Sequence, residues 1–139
     1  MIRSLPIATE GILKKLEDFL LDENKIQLAL VFGSFAKGTQ TPTSDVDLAC
    51  QFIHPLSIDE KLYWTDTLSQ ITGREVDLID LAVATGTVLR EAVTTGITLK
   101  ISEPLVLAKV LKRMWLEHED FEKQRQRVLA DRRKKVFNG

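Results

Sequence analysis

The spacing of hydrophobic positions changes several times along the chain, and each change marks an element. Over residues 9–22, Ile12, Leu13, Leu16, Phe19 and Leu20 recur three and four apart, which predicts an amphipathic helix with Thr9 as its cap. Residues 27–32 form a short apolar run stopped by Gly33, the pattern of a buried strand. Residues 38–44 are polar and rich in chain breakers, hence a loop. Residues 45–52 alternate acidic, apolar and small side chains and predict a second strand. Ser57 and Glu60 form a capping box for a helix running to about Thr72, just before Gly73. A third strand is expected over 75–79, a helix over 85–95 closed by Gly96, and a short fourth strand over 97–101. From Pro104 the helical period returns, with Leu107, Val110, Leu111, Met114 and Phe121 on one stripe.

These elements predict an α+β fold of mixed α/β type: a three- to four-stranded mixed sheet flanked by helices, followed by a long C-terminal helix. One domain accounts for residues 1–139, with 1–103 as the core that carries the sheet and 104–139 as a helical extension. A chain of 139 residues buries roughly two-thirds of its unfolded surface, so neither a disulfide nor a metal is required for folding.

Composition narrows the class. Hydrophobic residues make up 44% and charged residues 28%, as in an ordinary soluble globule. The single cysteine, Cys50, excludes an intramolecular disulfide framework and fits a reducing compartment. No run approaches the roughly 20 apolar residues of a membrane helix, and the N-terminus lacks the apolar core of a signal peptide. No membrane association and a cytoplasmic location are therefore expected. Nineteen Lys plus Arg against twenty Asp plus Glu exclude a broadly cationic surface, and no direct nucleic-acid binding is expected. The charge is nonetheless uneven, because residues 112–139 hold nine Lys/Arg and five Asp/Glu. That segment reads equally as a solvated helix end or as an arm that contacts a partner.

The chemistry concentrates in Gly33-Ser34-Phe35-Ala36-Lys37-Gly38 and Ser44-Asp45-Val46-Asp47-Leu48. On a strand, Asp45 and Asp47 point to one face about 6.6–6.8 Å apart along the chain. Their mutual repulsion is resolved by hard divalent cations, and a pair of Mg²⁺ ions is the known clamp for in-line displacement at phosphorus. Asp77 lies mid-strand between Val76 and Leu78, where an acid without a partner is costly. If its strand neighbours the first two acids, Asp77 completes the metal site and helps the attacking hydroxyl lose its proton. Asp80, three positions on, points to the other face and reads as surface or capping. At the end of the first strand, Gly33 lets the backbone approach a phosphate, whose oxygens the exposed N–H groups and the Ser34 hydroxyl can bind. Lys37 follows one turn later, in reach of triphosphate charge. Ser44 either contacts phosphate or caps its loop.

Competing motifs fail. Gly33 and Gly38 have Walker A spacing, but Thr39 and Gln40 stand where Lys and Ser/Thr are required. An EF-hand starting at Asp45 would place Leu56 at its twelfth position. Cys50 and His54 lack a second ligand pair for zinc, so Cys50 reads as packing and His118, between two glutamates, as a solvated helix residue.

Gly33-Ser34, ten intervening residues and Asp45-x-Asp47 resemble the signature of the DNA polymerase β-like nucleotidyltransferases. The segments 31–38, 44–49 and 75–80 are similar to the minimal nucleotidyltransferases of prokaryotes. Thr87-Val88-Leu89 and Val93-Thr94-Thr95-Gly96 resemble their antitoxin branch, so the likeness spans roughly residues 26–102. It implies a small nucleotidyltransferase fold. It also implies a two-gene module in which the enzyme moves AMP from ATP to a tyrosine of a cognate HEPN ribonuclease toxin, releasing pyrophosphate and neutralising it. Asp45, Asp47 and Asp77 would hold two Mg²⁺ ions as catalytic ligands; Gly33, Ser34, Lys37 and Ser44 would face the nucleotide. Lys37 replaces an arginine often found there, keeping charge but losing bidentate phosphate binding. Two alternatives are an antitoxin that acts by binding alone and a nucleotidyltransferase with a small-molecule acceptor.

Overall fold

A computed structural model of the protein describes residues 7–138. In chain order its elements are α1 (Ile7–Leu21), β1 (Ile26–Phe32), α2 (Ser34–Lys37), β2 (Val46–Phe52), α3 (Ile58–Thr72), β3 (Val76–Asp80), α4 (Gly86–Thr95), β4 (Ile97–Ile101) and α5 (Pro104–Asn138). The strands form one mixed sheet in the order β3-β2-β1-β4. β1 runs antiparallel to both β2 and β4, whereas β2 and β3 are parallel. A parallel pair needs a crossover, and α3 supplies it. The expected capping box starts this helix: the Glu60 N–H donates to the Ser57 hydroxyl and the Ser57 N–H donates to the Glu60 carboxylate, both at 3.1 Å.

Alternation along the strands sorts the side chains onto two faces. Ala29, Val31, Leu48, Cys50, Val76 and Leu78 pack against Leu13, Leu16 and Leu20 of α1 and Trp64 and Leu68 of α3. The opposite face, with Leu28, Leu30, Phe32 and Ala49, is covered by Leu81, Leu89 and Ala92 and by Val110 of α5. Each such aliphatic side chain, fully buried, contributes about 1.5–3 kcal/mol, so both layers are held by their apolar faces.

One detail departs from the sequence reading: α1 runs from Ile7, which places Thr9 inside the helix rather than at its cap. Of the two readings open for Asp80, surface or capping, the structure gives the second: it is buried, and its carboxylate accepts from Leu56 N at 2.9 Å and Ala82 N at 3.0 Å. It thereby ties the end of β3 to the segment that leads into α3.

Gly96 closes α4 in an extended rather than a left-handed conformation. A Cβ there would collide with the Ala92 carbonyl oxygen, so close packing is what requires glycine. α5 is tied to the loop that follows β3 by Arg113, whose guanidinium donates to the carbonyls of Leu81, Ala82 and Ala84. Past His118 the side chains described up to Arg132 are exposed, apart from a half-buried Glu122. Among the described residues, no helix is long and apolar enough to cross a membrane.

Candidate active site

Strand register builds the site. Phe32 of β1 stands opposite Asp47 of β2, and Asp47 stands beside Asp77 of β3, so the three form one row across the sheet. Residues paired in this way share a face, and adjacent strands lie about 4.7–4.9 Å apart. Val46 and Leu48 are buried toward α1 and α3, which turns Asp47 to the side of α4 and α5. Asp45, just ahead of β2, follows the same alternation and is exposed, as is Asp77; Asp47 is half-buried.

The carboxylates crowd each other. Burial, followed by the charges of Asp77, Asp45 and Glu91, raises the Asp47 carboxyl above its ordinary value. A group so placed gains from a cation, and an all-oxygen donor set suits Mg²⁺, which binds through one or two carboxylates and takes its remaining ligands from water and phosphate. Among the described residues no three His, Cys, Asp or Glu side chains are gathered closely enough to hold a metal ion by themselves, so a bound ion would need further ligands from water or substrate. The row presents an open pair, with Asp45 at its edge.

Gly33 brings the two halves of the motif together. It caps α2 at φ 68° and ψ −146°, and a Cβ there would overlap the Asp47 carboxylate. Close approach to the acid, as well as the left-handed backbone, therefore demands glycine at this position. Ala36 N and Lys37 N donate to the Gly33 carbonyl at 3.1 Å, while Phe35 is buried and anchors the turn. The Ser34 side chain, half-buried, starts this turn beside the acids.

Two candidates from the sequence have partners within the protein. The Ser44 hydroxyl accepts from Thr41 N at 2.7 Å and lies 3.1 Å from the Thr41 hydroxyl, so it organises the loop ahead of Asp45. Lys37 Nζ lies 3.6 Å from Glu91 Oε1 across the rim of the site.

Sequence reasoning missed two contributors. Glu91 belongs to α4 and is a fourth acid whose charge reaches Asp47. Arg74 donates to the carbonyls of Thr41 and Ser44, each at 3.0 Å, and its guanidinium carbon lies 5.6 Å from the centre of the Phe35 ring. It joins the Ser44–Asp45 loop to α2. No local pattern marks it, since the carbonyls it reaches lie 33 and 30 positions away in the chain.

Residues 14–104 match the family model described as Polymerase beta, Nucleotidyltransferase. The chain belongs to this nucleotidyltransferase family. It is 34% identical over 68 residues to MJ1217 of Methanocaldococcus jannaschii, provisionally named a protein adenylyltransferase, a match that covers 49% of this chain and 69% of that protein. It is also 34% identical over 79 residues to the protein adenylyltransferase MntA of Shewanella oneidensis, covering 55% and 57% of the two chains. A crystal structure of a toxin–antitoxin with AMP-PNP superposes with a TM-score of 0.68 at 27% identity, over 86% of this chain and 96% of that one.

Proposed function

We propose that this nucleotidyltransferase is a cytoplasmic antitoxin that moves AMP from ATP to a tyrosine of a cognate HEPN ribonuclease toxin. The observation that carries the chemistry is the pairing of Asp47 with Asp77, one strand apart and beside the Gly33–Ser34 turn. The toxin–antitoxin with AMP-PNP and the protein adenylyltransferases support the choice of nucleotide and of a protein acceptor.

In this reading Asp45, Asp47 and Asp77 hold Mg²⁺, two ions in all, through their carboxylate oxygens. When bound, the metal supplies positive charge at the oxygens of the reacting phosphate. The N–H groups that open α2 and the Ser34 hydroxyl take the triphosphate at Gly33, and Lys37 adds charge at its outer end. Ser44 acts through the loop it organises, setting the position of Asp45. The acceptor hydroxyl enters on the side of Asp77, which takes its proton. Its oxygen forms a bond to the α-phosphorus as the bond to the bridging oxygen breaks, and pyrophosphate leaves with that electron pair. We assign residues 1–139 to one domain, in which α5 (Pro104–Asn138) extends from the catalytic core.

The test is incubation with α-labelled ATP, Mg²⁺ and the cognate toxin. Label should move to toxin tyrosine with the wild type and not with the Asp45→Asn/Asp47→Asn double variant. Undiminished labelling by the double variant would overturn the site, and label that moves only to a small molecule would overturn the acceptor.

A further inference from the structure

Where α5 crosses the start of β1 and the end of β2 there is a cavity of about 350 Å³, a volume within the range of small-ligand sites. Phe52, in its wall, stands five residues beyond Asp47 on β2, about 16–17 Å along the strand, so the cavity is separate from the row of acids. Phe52, Ala82, Val106 and Val110 give it apolar walls. Its polar lining comes from Gln27, Gln51, His54, Lys109 and Arg113, with no acid among the lining residues.

The two cations of α5 are four positions apart and share one face of the helix, where like charges repel. Among the described residues neither Lys109 nor Arg113 pairs with an acid. The half-buried Arg113 guanidinium meets only the carbonyls of Leu81, Ala82 and Ala84, which are dipoles rather than counter-charges. Its buried Nε has no acceptor among the described residues. Two acids have partners at the edge of the cavity, and both are committed elsewhere. The Asp80 carboxylate accepts from Leu56 N and Ala82 N. Glu60 accepts from Ser57 N in the capping box and lies 3.7 Å from His54 Nε2. A cation held in place with no counter-ion is costly, and an anion brought beside it recovers that cost. The three carbonyls fix the guanidinium in advance, so little ordering remains to be done on binding.

We propose that this cavity binds a small organic anion, a carboxylate or a phosphate ester on an apolar body. The charged group lies between Lys109 and Arg113, and the body rests on Phe52, Val106 and Val110. Gln27 and Gln51 add amide donors at the β-strand wall. Bound there, the anion bridges α5 to the end of the sheet farthest from Asp47. The assignment makes no use of the acid row and stands apart from the nucleotidyl transfer proposed above.

The test titrates the full chain with benzoate, with phenyl phosphate and with uncharged benzamide, following backbone amide signals by NMR. Either anion should move the Ala82, Val106 and Val110 signals saturably, with a Kd of about 1 mM or tighter, and benzamide should bind about tenfold more weakly. Lys109→Glu should weaken anion binding about tenfold or more. Lys123→Glu makes the same charge change about 21 Å farther along α5 and should leave binding unchanged. Response to one anion alone keeps the site and identifies its ligand as carboxylate or as phosphate. No saturation at these signals up to about 20 mM of either anion would overturn the proposal. Equal binding of benzamide would overturn it too, as would equal weakening by the two variants.

Discussion

Lys37 Nζ and Glu91 Oε1 stand 3.6 Å apart, so the cation at the end of α2 is already engaged by an acid of α4. An exposed pair of this kind is worth about 0.2–1 kcal/mol, and a triphosphate must compete with it. Glu91→Gln is expected to tighten ATP binding about two- to fivefold by releasing Lys37. In a Lys37→Met background the same change should have a smaller effect. An equal gain in both backgrounds would assign the effect to bulk charge rather than to the pair.

Replacing Gly33 is expected to damage both fold and chemistry. Alanine there must adopt a positive φ, which costs about 1–3 kcal/mol, and its methyl must displace the Asp47 carboxylate. Thermal melts should show the loss of stability. AMP transfer should fall by more than the change in folded fraction explains, and transfer that merely tracks the folded fraction would argue against a role for this contact.

The raised Asp47 carboxyl makes a prediction with a definite sign. An acid whose folded value lies above its unfolded one destabilises the fold when ionised, and the penalty disappears as pH falls through the raised value. Asp47→Asn should therefore raise the melting temperature at pH 7 without divalent ions, with the gain shrinking as the pH is lowered toward the ordinary carboxylate range. The same substitution should reduce AMP transfer about a thousandfold or more. A variant less stable than wild type at pH 7 would contradict the crowding of the acids.

Arg74 offers a test of how the loop ahead of Asp45 is held. Arg74→Met removes two donors to backbone carbonyls and the contact with Phe35, for a loss of about 1–3 kcal/mol. Transfer should fall although no reacting atom is touched. Unchanged transfer in the variant would show that Asp45 needs no such support.

The distal part of α5 has little to hold it, since an isolated helix is marginal in water and its side chains from Lys123 to Arg132 are exposed. We expect residues 122–137 to contact the partner toxin. Truncation after Phe121 should leave the melting temperature and ATP affinity nearly unchanged, while toxin association weakens about tenfold or more. Toxin binding as tight as that of the full chain would return the segment to solvent.

Local pattern carried most of the architecture. The run before Gly33, the capping box at Ser57 and the return of helical spacing at Pro104 are each set by neighbours within a few residues, and all three appear where periodicity put them. The placement of Asp77 beside Asp47 was conditional on which strands are neighbours, because β2 and β3 are joined through α3 and their register is a tertiary fact. Glu91 and Arg74 were illegible for the same reason. Their partners lie 54 and 30 or more positions away in the chain, where no spacing rule reaches. For Asp80 the pattern leaves surface and capping equally open, because a buried carboxylate satisfied by two backbone N–H groups leaves no mark in composition.

The order β3-β2-β1-β4 leaves β3 at the margin of the sheet, with Asp77 exposed upon it. Among the described residues no further strand walls off that side, so the row of acids proposed for catalysis ends in a ledge rather than a cleft. A ledge imposes no size limit on what approaches it, and a hydroxyl carried on a folded protein can reach it as readily as one on a free metabolite. Selectivity for the acceptor must then arise from surfaces that grip the incoming molecule at a distance, and the enzyme is only as discriminating as that grip.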